Sequence, residues 1–223
     1  MRGVRNWTLG FIGTAIMVVV SYLWLDRPIA LFVHARLQGY DLFEKVTYIP
    51  DALIPIGAVA LMAVALRGLT GRPLSRFPTV LVVSGISLSL AVVVKDQLKF
   101  AFGRTWPETW LRNNPSFIRD GVFGFFPFHG GPGYASFPSG HTTAICTLMT
   151  VLWLCYPRFR ALYALAMAAV AIGLIGANFH FLSDVIAGGF IGITAGWLGV
   201  VLWEAGVHRV RPSLDQFDQP PPQ

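Results

Sequence analysis

The stretch "FPTVLVVSGISLSLAVVVKDQLKF", residues 77–100, is apolar for most of its length and meets charge only at Lys95, Asp96 and Lys99. A helix needs about 20 apolar residues to cross a bilayer, so a span over 77–98 is predicted. Five further stretches qualify, some marginally: 7–25, 52–69, 141–157, 161–179 and 184–203. The 223-residue chain is 54% hydrophobic and 13% charged, with mean hydropathy +0.59. A soluble domain carries about 25% charged residues. The expected fold class is therefore all-α, a polytopic membrane protein with six transmembrane helices.

The apolar run at 7–25 follows "MRGVR" and is followed by no clear small-residue cleavage site. It reads as a retained span rather than a signal peptide. Residues 26–50 mix polar and apolar positions and read as a short amphipathic helix at the interface. Residues 100–138 form a long segment rich in Gly, Pro and aromatics. There is no internal repeat and no second soluble domain. The whole of 1–223 reads as one membrane domain: a first span with an interfacial segment (1–50), a helical core (51–203) and a cytoplasmic tail (204–223). Cys146 and Cys155 share one apolar segment and read as reduced packing residues, with neither disulfide nor metal spacing.

The net charge of +6 sits in short clusters between apolar runs. No interleaving of aromatic and basic residues suggests a nucleic-acid groove. Arg2 and Arg5, then Arg67, Arg72 and Arg76, then Arg158 and Arg160, then Arg209 and Arg211 all fall on one side of a six-span chain. By the positive-inside rule that side is the cytoplasm, which puts both termini there in a cell (inner) membrane. The far end of span three, the start of span four and the junction of spans five and six then meet on the extracytoplasmic face.

Three polar clusters converge on that face: "KFAFGRTWP" at 99–107, "FPSGHTT" at 137–143 and "HFLSD" at 180–184. Ser139 and Gly140 precede a helix whose free N–H groups and dipole favour an anion. His180 and Asp184, four apart, share one face if helical, and an acid behind an imidazole fixes its tautomer. His180 then qualifies as a nucleophile toward phosphorus and His141 as a general acid. Lys99 and Arg104 are candidates to hold the phosphoryl oxygens, with no ligand cluster for a metal and no cofactor called for. Each residue also has a plainer explanation: Ser139 as a helix cap, the two cations as snorkelling side chains, Asp184 as a first-turn acid. The aromatic loop, with "TWPETW" and "VFGFFPF", fits an interfacial belt, or else a portal for a lipid chain. Arg112 and Arg119 fit solvated surface charge.

These residues resemble the type 2 phosphatidic acid phosphatase superfamily of membrane lipid phosphatases. Its motifs are Lys, six residues, Arg-Pro; Pro-Ser-Gly-His; and Ser-Arg, five residues, His, three residues, Asp. The second is intact as Pro138-Ser139-Gly140-His141, and the third keeps His180 and Asp184. The first keeps Lys99 and Pro107 but has Trp106 in place of its arginine, and Gly173-Leu174 stand where the third has Ser-Arg. The resemblance covers roughly 50–203. It implies that His180 forms a phosphohistidine, Asp184 orients it, His141 protonates the leaving group, and Lys99, Ser139 and Gly140 bind phosphate. Arg104 is the candidate to compensate for the missing arginines, with Asn178 as a further donor. The implied activity is metal-independent hydrolysis of a lipid phosphate or diphosphate, with membrane lipids as partners. The substrates it implies are polyprenyl diphosphate, phosphatidylglycerol phosphate, phosphatidic acid and the lipid A phosphate. The alternatives are lipid-to-lipid phosphotransfer on the same scaffold and a silent lipid-phosphate binder or transporter.

Overall fold

A computed structural model describes residues 2–69, 71, 75–110 and 113–215, with backbone alone at 2–3 and 207–215. Arg72, Arg112 and the end of the tail (216–223) lie outside the described residues, as do the side chains of Arg2, Arg209 and Arg211. The chain is all-helical. Its principal helices are α1 (Arg2–Val20), α2 (Asp26–Leu37), α3 (Asp41–Gly68), α4 (Arg76–Phe102), a single turn α5 (Phe117–Asp120), α6 (Gly140–Cys155), α7 (Arg160–Gly176) and α8 (Leu182–Asp215).

Five helical segments among the described residues are long and apolar enough to cross a membrane: Val4–Leu37, Asp41–Gly68, Arg76–Phe102, Pro157–Gly176 and Leu182–Gly206. The helix expected over 141–157 is α6, apolar but only 16 residues long. The interfacial segment expected over 26–50 does not exist as a separate piece. A π-helical turn at Ser21–Leu25 joins α1 to α2 without a break, and Asp41 already begins α3. The first helical segment is thus 34 residues long, roughly 50 Å at 1.5 Å per residue. That exceeds the roughly 30 Å hydrocarbon layer. Only 6% of the apolar window of this segment, and 6% of that of α3, is buried inside the protein, which marks both as lipid-facing.

The centre of the molecule is α6, packed against α8, α4 and α7. Sequence dictates the closeness of α6 and α8. Gly188, Gly192 and Gly196 recur every four residues along α8, and a Cβ there would come within 2.5 Å of Ser139 O, 2.4 Å of Thr143 O and 2.7 Å of Thr147 O. Small residues at this spacing let helix backbones touch within a bilayer. On the facing helix, Thr143 and Thr147 return their hydroxyls to the carbonyls of Ser139 and Thr143, each at 2.7 Å. An apolar layer of Ile145, Val170, Leu174 and Val185 closes the same region.

This packing aligns four helix ends. The C-terminal ends of α4 and α7 and the N-terminal starts of α6 and α8 lie together. The opposite end carries Arg76, whose guanidinium donates to Cys155 O at 2.5 Å and lies 5.1 Å from the Tyr156 ring.

Candidate active site

α4 stops where the site begins. Gly103 adopts φ +56° and its N–H caps Lys99 O. A Cβ at Gly103 would fall 1.9 Å from Phe126 O, so only glycine turns the chain here. The turn sends Arg104 inward. Short pairings then stitch the long segment across the helix ends: Phe126 N to Gly103 O at 2.8 Å, Phe117 N to Trp106 O at 2.9 Å, and Ser136 N to Arg104 O at 3.1 Å.

His180 lies two residues before α8 rather than on it, because α7 ends in a tight turn. Asn178 sits at φ +56°, and the N–H groups of Phe179 and His180 both reach Leu174 O. Asp184, in the first turn of α8, accepts from Phe181 N at 3.0 Å and Ser136 Oγ at 2.6 Å. Its Oδ2 is 3.4 Å from His180 Nδ1. Ser136 Oγ is also 3.4 Å from that nitrogen. Nδ1 is therefore the committed nitrogen, and Nε2 is the one left for a ligand. Burial pushes the His180 imidazole down to about 4, against the opposing hydrogen bond and charge of Asp184. The positive charges of Lys99 and His141 push in the same direction as burial.

Arg104 is not placed as a phosphate ligand. It is fully buried and its guanidinium donates to Asp184 Oδ1 at 2.5 Å, Ser183 Oγ at 2.5 Å and Asp26 Oδ2 at 2.6 Å. Asp26 also accepts from Ser183 N at 3.0 Å. Four rings surround the guanidinium carbon: Phe181 at 4.4 Å, Phe125 at 4.9 Å, Tyr22 at 5.3 Å and Phe123 at 5.5 Å. The "VFGFFPF" aromatics that fit an interfacial belt by sequence thus contribute Phe123 and Phe125 to an internal cage, with Phe128 left exposed. A cation so enclosed needs both carboxylates to offset its desolvation. Asp26, outside the 51–203 core expected from sequence, is a member of this network that nothing local in the sequence marks.

Ser139 is fully buried as the N-cap of α6. Its Oγ accepts from Thr142 N at 3.4 Å and Thr142 Oγ1 at 3.1 Å, the plainer role that the sequence also allowed. Its N–H donates to Asp184 O at 3.1 Å, which locks the Pro-Ser-Gly-His turn to the start of α8. Gly140 lies under Lys95: a Cβ there would sit 3.8 Å from Lys95 Nζ. Lys95 also pairs with Asp96 at 2.5 Å. One helical turn on, Lys99 Nζ donates to Ala135 O. Lys95 has the sequence signature of a span-end charge, yet its i, i+4 spacing to Lys99 puts both ammonium groups on one face. His141, partly exposed, has Nε2 3.2 Å from Asp51 Oδ1 of α3.

The residues at the two positions where the resembled motifs carry arginine are packed into the interior. Trp106 is buried, with its ring centroid 5.0 Å from that of His180 and 5.7 Å from Lys99 Nζ. Its indole N–H donates to Pro132 O at 2.7 Å. A Cβ on Gly173 would come within 2.9 Å of Phe43 O of α3, and Leu174 is fully buried in the apolar layer. Asn178 does not face the cleft. Its amide donates to Ala30 O at 3.2 Å and Glu108 Oε2 at 2.9 Å. Arg119 ties the loop together through Asp120 at 2.8 Å and through Asn113. Among the described residues no group of three or more His, Cys, Asp or Glu is disposed to hold a metal.

A buried imidazole backed by a carboxylate thus lies near two ammonium groups and a second imidazole at a helix start, a set of groups whose charge suits an anionic ligand. Comparison with known proteins agrees on the family. The sequence profile of the PAP2 superfamily matches residues 80–207, and the chain belongs to that superfamily. Over 123 residues it is 32% identical to the lipid A 1-phosphatase of Rhizobium etli, covering 55% of this chain and 46% of that protein. Over 96 residues it is 34% identical to the lipid A 1-phosphatase of Rhizobium johnstonii, covering 43% and 36%. The chain thus spans less than half the length of these curated relatives. Its fold is similar to the crystal structure of a transmembrane PAP2-type phosphatidylglycerolphosphate phosphatase from Bacillus subtilis, with a TM-score of 0.58 at 17% identity over 89% of this chain and 96% of that one. Apolar helices and membrane relatives together make this a membrane protein.

Proposed function

We propose that the protein is a metal-independent lipid phosphate or diphosphate phosphatase working through a phosphohistidine on His180. The observation that carries the reading is the orientation of His180: Nδ1 faces Asp184 Oδ2 at 3.4 Å, so Nε2 is the free nucleophile. Asp184 keeps the proton on Nδ1 and stabilises the imidazolium character that develops during attack. Nε2 donates its electron pair to phosphorus and the bond to the lipid oxygen breaks. His141, oriented by Asp51, gives its proton to that oxygen. His141 then takes a proton from water, the hydroxide oxygen attacks phosphorus, the N–P bond breaks, and inorganic phosphate leaves. Lys99, Lys95 and the N–H groups at Gly140 offset the charge on the phosphoryl oxygens. Lys95, rather than Arg104, takes over the electrostatic task of the absent family arginine.

The six apolar helices all cross the bilayer in this reading, the short α6 included, with the core helices meeting at the extracytoplasmic face of the inner membrane. The names of the relatives put lipid A 1-phosphate first among substrates to test, followed by phosphatidylglycerol phosphate, phosphatidic acid and polyprenyl diphosphate. The test is phosphate release by purified protein from that panel with a chelator present. Release that disappears in His180→Ala is expected; substantial release by His180→Ala, or dependence on added metal, sinks the mechanism. Lys95→Gln removes a charged contact of about 1.5–3 kcal/mol and lowers kcat/KM roughly 10- to 100-fold.

A further inference from the structure

A cavity of about 250 Å³ lies beside the site, lined by His34, Asp41, Glu44, Glu108, Trp110 and Phe179 among others. Its walls come from α2, the start of α3, the end of α7 and the loop after α4. The polar groups are held in place. His34 Nδ1 is 2.8 Å from Glu108 Oε1, and Asn178 donates to Glu108 Oε2 at 2.9 Å. The floor is aromatic: Trp110 stacks on Phe179 at 5.0 Å and remains 41% exposed.

The cavity is joined to His180 by rings. Trp110 meets Trp106 edge-on at 4.9 Å, and Trp106 lies 5.0 Å from His180. Phe179 on its wall directly precedes His180 in the chain. A group attached to a phosphate at His180 and passing over Trp106 would arrive here.

We infer that this cavity is the headgroup subsite for a phosphorylated sugar lipid, with the sugar ring on Trp110 and its hydroxyl or amino groups on Glu108, His34 and Glu44. The chemistry of the lining selects this class. Three carboxylates and, among the described residues, no Lys or Arg on the lining repel a second phosphate. The cavity is too large for an ammonium group alone and too polar for an acyl chain. A sugar offers an apolar ring face to an aromatic platform and donors to fixed carboxylates, the pairing of apolar wall and few placed polar groups that defines a small-molecule site. Trp106, standing where the family has an arginine, then serves specificity: it forms the apolar bridge between scissile phosphate and sugar.

The inference rests on the phosphatase reading for its first test and is independent of turnover in its second. Full-length detergent-purified protein is assayed on a glucosamine-based lipid 1-phosphate and on phosphatidic acid, as wild type, Trp110→Ala and His34→Ala. Each variant is expected to lose at least tenfold in kcat/KM on the sugar lipid and less than twofold on phosphatidic acid. Equal losses on both substrates, or none on either, overturn the subsite. In the His180→Ala background, calorimetric titration compares glucosamine 1-phosphate with inorganic phosphate. The sugar phosphate is expected to bind at least tenfold more tightly, and Trp110→Ala to erase the difference. Equal binding of the two overturns the subsite even if no lipid is hydrolysed; tighter sugar-phosphate binding without hydrolysis of either lipid retains the subsite and rejects the phosphatase.

Discussion

Arg104 shows how far a residue's neighbours redefine it. In the sequence it is a cation two residues from a missing arginine, and compensation for phosphate binding follows. In the fold it is bonded to Asp184 and Asp26 at 2.5 and 2.6 Å and never reaches the cleft. It orients Asp184, which orients His180. Removing one partner of a buried ion pair leaves an uncompensated charge, costing about 3–5 kcal/mol. Asp26→Ala is therefore expected to lower thermal stability and to cut kcat at least tenfold with little change in KM, since Asp26 touches no substrate. A rise in KM at constant kcat would contradict the positioning role. The depressed pKa of His180 gives a second residue-scale prediction. Between pH about 6.5, the ordinary value, and about 4, the folded value, the unfolded chain binds a proton that the folded chain refuses. This group's contribution to stability is full above 6.5 and is lost as pH falls through that window. NMR titration of labelled histidine should place the His180 midpoint near 4; a midpoint at or above 6.5 would contradict the burial account.

Helix pairing explains why Pro-Ser-Gly-His and His180 meet. The glycine stripe of α8 brings its backbone against α6, and Ser139 N–H closes onto Asp184 O at 3.1 Å. Gly192→Ala would put a Cβ 2.4 Å from Thr143 O. Overpacking of this kind costs about 1–3 kcal/mol, or roughly 2–12 °C in Tm. Gly13→Ala, with nothing within 4 Å, is the control and should not lower Tm. Equal effects at both positions would dismiss the stripe. The motifs and apolar runs made the core helices and the His180, His141, Asp184 and Lys99 cluster legible, because spacing along one chain encodes them. Asp26, Asp51 and the His34–Glu108 pair were not, because each acts across 74 or more residues of sequence, where no periodicity reports. Lys95 was visible as an i, i+4 neighbour of Lys99 but had the same signature as a snorkelling span end.

At the scale of the whole molecule, a site at the shared ends of four helices suits a substrate whose acyl chains stay in the bilayer while its phosphate rises to the surface. The π-helical turn after α1, the start of α2 and α3 contribute Tyr22, Asp26 and Asp51 to its periphery, so the N-terminal third is part of the site's architecture. The orientation proposed from the basic residues predicts that a cysteine placed at Phe128, which is exposed, reacts with a membrane-impermeant maleimide in intact spheroplasts, and that one placed at Arg158 does not. The reverse labelling would invert the topology. The central claim is that phosphorus becomes bonded to His180. The most direct measurement is rapid acid-free quenching of purified protein with a phosphorus-32 lipid phosphate, followed by mass spectrometry of the labelled peptide. An acid-labile, base-stable phosphate on His180, absent in His180→Ala, is the predicted result; turnover with no phosphorylated histidine at any time would contradict it.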